Sequence, residues 1–253
     1  MAGHSKWANT KHRKDRQDKK RGKEFGKAIR AIESAARESS TSDPEMSPSL
    51  ALAVQKAKDI SVPKDTIERA CKRGAGELGD AEAYESATYE GYAPGGVAVL
   101  VDILTDNRNR TASDVRSAFS KAGGNLAEPG AVAFMFSRQG QVVVDATSGS
   151  QDDVMTAGLD AGLEDLETDG DIITAWCDPS SVSDLRAALE AAGLKVQGAG
   201  STMVPSVTVP IDDVGEARKI LRLLDALEDN DDVQEVYANF DASDDVLEAA
   251  LDD

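Results

Sequence analysis

Residues 1–30 concentrate the side chains best suited to recognising a ligand. Lys6, Lys11, Arg13, Lys14, Arg16, Lys19, Lys20, Arg21, Lys23, Lys27 and Arg30 stand against three acids there, a local charge of +8. Residues 31–253 hold 17 Lys/Arg against 43 Asp/Glu, and the whole chain carries −18. A cationic row this dense suits a polyanion, because each phosphate it neutralises releases condensed counterions. After the initial Met, Trp7 is the only large apolar side chain in the first 24 residues, and its indole offers a face for stacking on a base. Both histidines, His4 and His12, lie in this segment, which leaves no imidazole elsewhere for acid–base chemistry. An acidic protein needs no basic segment for solubility. The stretch also lacks the apolar face of an interfacial membrane helix. It is too poor in apolar residues to fold alone. The arm is therefore expected to bind nucleic acid through Lys6, Trp7, Lys11, His12, Arg13, Lys14, Arg16, Lys19, Lys20, Arg21 and Lys23, with the acidic remainder held outside the polyanion.

Motifs of enzymatic or cofactor chemistry are missing. No Gly-x-x-x-x-Gly-Lys-Ser/Thr phosphate loop occurs. Gly198-Ala199-Gly200 opens like a dinucleotide loop, but Met203 takes the place of the third glycine. Asp165, Glu167, Asp169 and Gly170 imitate the start of a calcium loop whose last ligand would fall on Trp176, so a tight hairpin is the better reading. Cys71 and Cys177 are too few for a disulfide framework or a cysteine-rich zinc site. Among 46 acids, carboxylate pairs arise by chance, and none adjoins a recognisable nucleophile. We expect no enzyme, no cofactor, no metal and no small-molecule substrate.

The elements that must carry the arm follow from periodicity. Phe25, Ile29, Ile32 and Ala36 repeat at helical spacing. A second helix follows Pro48 with Leu50, Val54, Ala57 and Ile60 in register. A third starts at Pro63, carries Ile67, Ala70 and Cys71, and is expected to stop at Gly74. Its Lys64, Arg69, Lys72 and Arg73 form a second basic cluster, which taken alone reads as a solvated helix face. From Tyr89 the pattern alternates. Val97, Val99, Val101 and Ile103 share one strand face; Thr111 or Ser113 is expected to cap a helix bearing Val115 and Phe119, closed by Gly123-Gly124. Val132, Phe134 and Phe136 suggest a strand, joined through Arg138-Gln139-Gly140 to another at Val142–Val144. A helix near Val154, a hairpin at Asp169-Gly170, a helix with Leu185 and Leu189, a long helix over 213–228 and a strand near Val236 complete the pattern.

The expected fold is α+β and multidomain: a basic arm and helical bundle over 1–80, a discontinuous α/β domain over 81–130 and 206–241, an inserted α/β domain over 131–205, and a solvated acidic tail over 242–253. Asn107-Arg108-Asn109-Arg110 falls in a strand-to-helix loop, where it either shapes the turn or serves function. The acidic run Glu228, Asp229, Asp231, Asp232 and Glu235 reads either as a solvated helix end or as a dock for a basic partner. The longest apolar runs, such as Val97–Val101, fall far short of the roughly 20 residues of a membrane span. No signal-type apolar core is present near the N-terminus, so a cytoplasmic protein without a membrane partner is expected.

Several blocks together resemble one family. Ala2-Gly3-His4-Ser5-Lys6-Trp7-Ala8-Asn9 with Lys11-His12-Arg13-Lys14 is similar to the opening signature of the YebC/PmpR family. Val62-Pro63-Lys64-Asp65, Tyr89-Glu90-Gly91-Tyr92, Pro94-Gly95-Gly96-Val97, Thr105-Asp106-Asn107-Arg108-Asn109-Arg110-Thr111, Gly123-Gly124-Asn125-Leu126 and Phe134-Met135-Phe136 follow in the family's order. Departures include Thr10, Asp15-Arg16, Ser47, Ser49, Ser61-Val62 and Ala93. The resemblance implies a helical N-terminal domain and two α/β (ferredoxin-like) domains, one discontinuous. It also implies a cytoplasmic, non-enzymatic regulator of gene expression, usually described as a DNA-binding transcriptional regulator. Relatives that activate mitochondrial translation, or act on ribosomes stalled at proline-rich stretches, imply ribosomal RNA as the alternative partner. In that light Lys64, Arg69, Lys72 and Arg73 extend the arm's surface, and Asn107, Arg108 and Arg110 join the candidates.

Overall fold

A computed structural model describes residues 18–79 and 83–251. Lys6, Trp7, Lys11, His12, Arg13, Lys14 and Arg16 lie outside the described residues, as do the side chains of Lys19, Lys20 and Arg21. In chain order the elements are α1 (Asp18–Ser39), α2 (Pro48–Asp59), α3 (Lys64–Gly74), β1 (Glu85–Tyr92), β2 (Ala98–Thr105), α4 (Arg108–Ala122), β3 (Asn125–Leu126), β4 (Phe136–Asp145), α5 (Gln151–Gly158), β5 (Leu163–Asp169), β6 (Ile172–Cys177), α6 (Val182–Ala191), β7 (Val196–Pro205), β8 (Val209–Pro210), α7 (Val214–Glu228), β9 (Val233–Ala238), β10 (Phe240–Asp241) and α8 (Asp244–Leu251). The fold is mixed α/β, with two four-stranded sheets among the described residues. No helix among them is long and apolar enough to cross a membrane. The described residues form two compact units, one of those up to 136 with those from 205 onward, and one of residues 137–204.

In the first unit, Ile32 and Ala36 of α1 pack with Leu50, Val54 and Ala57 of α2 and with Ile67, Ala70 and Cys71 of α3. Ser47 starts α2 by accepting from the Leu50 amide at 3.3 Å. Gly74 differs from expectation. It is buried inside the last turn of α3 rather than past its end. A Cβ there would lie 2.8 Å from the Ala36 Cβ and run into the Glu33 carbonyl, so the missing side chain lets α3 close on α1. The left-handed position comes later, at Gly76 with φ of 81°.

The same unit holds a sheet of order β3-β1-β2-β9. β1 and β2 pair antiparallel from Glu85 opposite Thr105 to Tyr92 opposite Ala98. Val99, Val101 and Ile103 meet Val115 and Phe119 of α4, and Ile220, Leu221 and Leu224 of α7, in one core. Asn107, not Thr111 or Ser113, caps α4: its Oδ1 accepts from the Arg110 amide at 3.1 Å. Asn is as good a cap as Thr and stands nearer the strand end. Thr111 instead lies buried in the first turns. The stretch read as a solvated tail also differs. Residues 244–251 form α8, whose Leu247 is 1% exposed within the core. A high count of acids had masked an amphipathic helix, because its apolar residues are few and lie on one face.

The second unit has the order β4-α5-β5-β6-α6-β7 and a sheet of order β5-β6-β4-β7. β6 pairs antiparallel with both β4 and β5. The expected pair of strands around 132–136 and 142–144 is a single strand. β4 runs straight through Arg138-Gln139-Gly140, and residues 133–135 form a short 3-10 turn that leaves Phe134 73% exposed. Gly140 makes no turn. It provides room, since a Cβ there would sit 2.6 Å from Val182 Cγ2 and 2.7 Å from Cys177 Sγ. The hairpin at Asp169-Gly170 forms, with Asp169 opposite Ile172. Val142, Val144, Ile173, Ala175, Leu185 and Leu189 fill this unit's own core.

Candidate nucleic-acid interface

The basic sequence continues into α1, and helical spacing puts Lys23, Lys27 and Arg30 on one face. That face meets the end of α7. Lys23 Nζ donates to the Asp229 carbonyl at 3.0 Å and to its Oδ1 at 3.1 Å. Lys27 Nζ donates to the Glu228 carbonyl at 2.7 Å. Arg30 Nη1 donates to the Asp231 carbonyl and lies 3.4 Å from Asp232 Oδ1. The last carbonyls of a helix lack intrahelical partners and carry the negative end of its dipole, so cations are favoured there. From α2, Lys56 reaches Glu235 at 3.6 Å. Burial pushes the Lys27 ammonium down, against the opposing pull of Glu228, Glu235 and Asp231. The acidic run 228–235 is therefore neither bare nor simply solvated. It is the rim on which α1 and α2 dock.

Asp232 is the deepest group of that rim, 7% exposed. Its Oδ2 accepts from Arg110 Nη2 at 2.6 Å, Thr111 Oγ1 at 2.7 Å and Thr105 Oγ1 at 3.1 Å. Burial raises the carboxyl, but hydrogen bonds from Arg110, Thr111 and Thr105 outweigh it and hold the group below the usual carboxylate range. The hydrogen bonds from Arg110 to Asp232 and Asp106 raise the guanidinium in turn. A register shift between Asp102 and Ile103 in the β2–β9 pairing, with the Leu104 amide donating to the Asp232 carbonyl at 2.8 Å, brings Asp232 beside Thr105. An open cleft of about 580 Å³ lies here, lined among others by Lys23, Arg30, Asp106, Arg110, Asp114 and Asp231.

The second basic cluster lies on a different groove, of about 390 Å³, lined by Asp65, Glu68, Arg69 and Lys72 of α3. Lys64 lies 3.7 Å from Glu68, and Arg69 Nε donates to the Asp65 carbonyl at 3.2 Å. Arg73 Nη1 donates to the buried Glu33 carboxylate at 2.8 Å. Lys72 is exposed. On the α4 side, the Asn107 side chain is spent on its cap and Arg108 lies 3.8 Å from Glu85. The structure thus gathers Lys23 and Arg110 around one cleft, sets Arg69 and Lys72 of α3 on another, and pairs Lys64 with Glu68 and Arg73 with Glu33.

These elements correspond to a known arrangement. Residues 5–77 match the TACO1/YebC protein N-terminal domain, and residues 84–240 match the TACO1/YebC second and third domain. The chain belongs to the TACO1/YebC family. A "Probable transcriptional regulatory protein" of Beutenbergia cavernae is 54% identical over 255 residues, covering 100% of both chains. One of the same description from Halothermothrix orenii is 52% identical over 250 residues and 98% of each chain. The crystal structure of a conserved hypothetical protein from Aquifex aeolicus superposes with a TM-score of 0.82 at 42% identity, covering 90% of this chain and 93% of that one. Asp232 lies within the family's second and third domain segment, and in the sequence nothing sets it apart from the rest of the acidic run 228–235. The signal was nevertheless present: a helical row of Lys23, Lys27 and Arg30 has its complement at Glu228–Asp232.

Proposed function

We propose that this chain is a non-enzymatic, nucleic-acid-binding regulator of gene expression that grips its target with the basic segment Lys6–Lys23. The charge partition carries the reading: a +8 segment joined to a strongly acidic remainder. The descriptions of its relatives as probable transcriptional regulators support the same class. Lys64, Arg69, Lys72 and Arg73 on α3 extend the surface, and Asn107, Arg108 and Arg110 flank it. We read the chain as a helical domain over 1–80, a ferredoxin-like domain over 81–130 and 206–241 on whose core α8 of the acidic end 242–253 packs, and a second ferredoxin-like domain over 131–205. Three separate hydrophobic cores support that division. The strand order β5-β6-β4-β7 is that of a split βαβ fold.

One observation counts against α3 as a major-groove recognition helix. On α3, the helix with the densest exposed cations, Asp65 and Glu68 interleave with Arg69 and Lys72 along the groove. A helix entering a major groove runs between two phosphate rows, which such acids repel. A ribosome-associated translation factor is therefore the second reading, with DNA-dependent transcription control the first. Either takes place in the cytoplasm without a membrane partner.

The deciding experiment offers the purified protein ribosomes and genomic DNA fragments together at physiological salt. Retention on a narrow set of DNA fragments supports transcription control. Pelleting with ribosomes that DNA does not displace supports the translation reading. In either case deletion of residues 1–22 abolishes binding. If the arm covers 6–10 phosphates, affinity falls about 10³–10⁵-fold between 50 and 200 mM salt. Lys64→Gln/Arg69→Gln/Lys72→Gln makes the slope shallower. Failure to bind either partner overturns the function.

A further inference from the structure

We infer that the inner face of α1, Lys23 and Lys27 with Arg30 at its base, is a phosphodiester-binding surface that the chain's own 228–232 loop keeps closed. The inference rests on the nucleic-acid reading above and adds to it a surface and its regulation.

The loop presents to α1 a row of acceptor oxygens, carboxylate and peptide carbonyl, in the place where a phosphate backbone would offer its phosphoryl oxygens. Lys23 meets one carboxylate oxygen and one carbonyl of Asp229. Lys27 meets the Glu228 carbonyl. Both cations continue the basic row of the arm in sequence. A nucleic acid gripped by residues 6–21 therefore lies within reach of Lys23 and Lys27, and must displace the loop to use them.

The contacts are graded along the helix. The Lys23 and Asp229 side chains are both exposed, at 44% and 67%. Exposed pairs of this kind are individually weak and are screened by salt, so a polyanion held nearby competes with them. Lys27 is part-buried, and that burial pushes its ammonium down. Arg30 and Asp232 are both mostly buried. The apolar residues follow the same gradient. Phe25, Ala28 and Ile29 are only partly buried, whereas Ile32 and Ala36 are fully buried. Opening thus starts at the Lys23 end and stops at Arg30, which stays anchored on Asp232. The closed state withholds two cations from the target, so the free protein binds more weakly than its basic sequence permits.

The test compares two full-length variants of equal charge change. The loop variant is Glu228→Gln/Asp229→Asn/Asp231→Asn; the control, Asp212→Asn/Asp245→Asn/Glu248→Gln, removes three exposed acids elsewhere in the same unit. The probes are a 20-base-pair DNA duplex and an RNA hairpin of similar length. The loop variant is expected to bind at least tenfold tighter than the control, with a log–log salt slope steeper by about 1, because it removes the carboxylate that Lys23 holds and the Glu228 and Asp231 charges that attract Lys27, while the carbonyl contacts remain. Adding Lys23→Gln/Lys27→Gln to the loop variant is expected to remove that gain. In the wild-type protein, carbodiimide coupling of Lys23 to Asp229 is expected in the free state and to be suppressed by saturating probe.

Equal binding of loop and control variants overturns the inference, as does a gain that survives loss of Lys23 and Lys27, or coupling that persists in the complex. Binding of neither probe by the wild-type protein at low salt overturns the nucleic-acid reading itself, and the closed-surface inference with it. Preference for duplex or hairpin then distinguishes DNA from RNA as the source of the phosphodiester.

Discussion

Arg110 and Asp232, 122 positions apart, meet end to end: Nη2 of the guanidinium stands 2.6 Å from Oδ2 of the carboxylate. The same oxygen accepts from Thr105 and Thr111, while Oδ1 faces Arg30 at 3.4 Å. One side chain thus ties β2, α4 and the rim to the first helix.

Removing that carboxylate takes an acceptor from Thr105, Thr111, Arg110 and Arg30, although Thr111 keeps the Asn107 carbonyl and Arg110 keeps Asp106. Asp232→Ala is expected to cost about 1–3 kcal/mol, the cost of leaving buried polar partners short of an acceptor. Arg110→Gln is expected to cost about 1 kcal/mol or less, because its side chain is 47% exposed and solvent screens the pair. Urea unfolding of the two variants checks the order. A cost for Arg110→Gln equal to that of Asp232→Ala would show that the ion pair, not the buried acceptor, dominates.

Glu90 is a buried carboxylate held by backbone alone. Gly130 N donates to Oε1 at 2.6 Å, and Val132 N and Ala133 N donate to Oε2 at 2.7 and 2.8 Å. Burial pushes its carboxyl up, and the three amides outweigh it, so the folded value lies below the ordinary one. A depressed carboxyl contributes stability in full above its unfolded value of about 4.3, and that contribution is lost as pH falls through the folded value. Glu90→Gln is expected to cost about 2 kcal/mol at neutral pH and to flatten the acid limb of stability. Urea midpoints from pH 7 down to pH 3 measure both. An acid limb as steep as the wild type's would assign acid lability to other carboxylates.

Gly74 and Gly76 separate packing from backbone conformation. Gly74→Ala forces a methyl group against the Glu33 carbonyl and Ala36, and is expected to cost about 3 kcal/mol, the upper range for overpacking. Gly76 has φ of 81° and open space around its Cβ position. Gly76→Ala is expected to cost about 1 kcal/mol from the left-handed backbone alone. Thermal or urea unfolding ranks the pair. The reverse order would make helix termination, not close approach, the role of Gly74.

Local spacing in the sequence carries the helices bearing Phe25 and Ala36, Leu50 and Ala57, and Ile67 and Cys71, the helices bearing Phe119, Leu185 and Leu224, and the hairpin at Gly170, while the start of α1 at Asp18, within the basic segment, was not legible there. Each depends on spacing and turn chemistry within a few positions, which local sequence carries. It also determined the charge partition that makes nucleic acid the expected partner. It misread what depends on distant neighbours. Gly140 looked like a turn because glycine is permissive, yet Val182 and Cys177 claim its empty space. The last helix looked solvated because its acids outnumber its apolar residues, yet Leu247 needs only one face in the core. The acidic run 228–235 looked free because its counterions, Lys23, Lys27, Arg30 and Lys56, are remote in the chain. Which cation meets which acid is set by helix and sheet packing that brings together residues some 200 positions apart, and Coulomb attraction acts on distance in space, not in sequence.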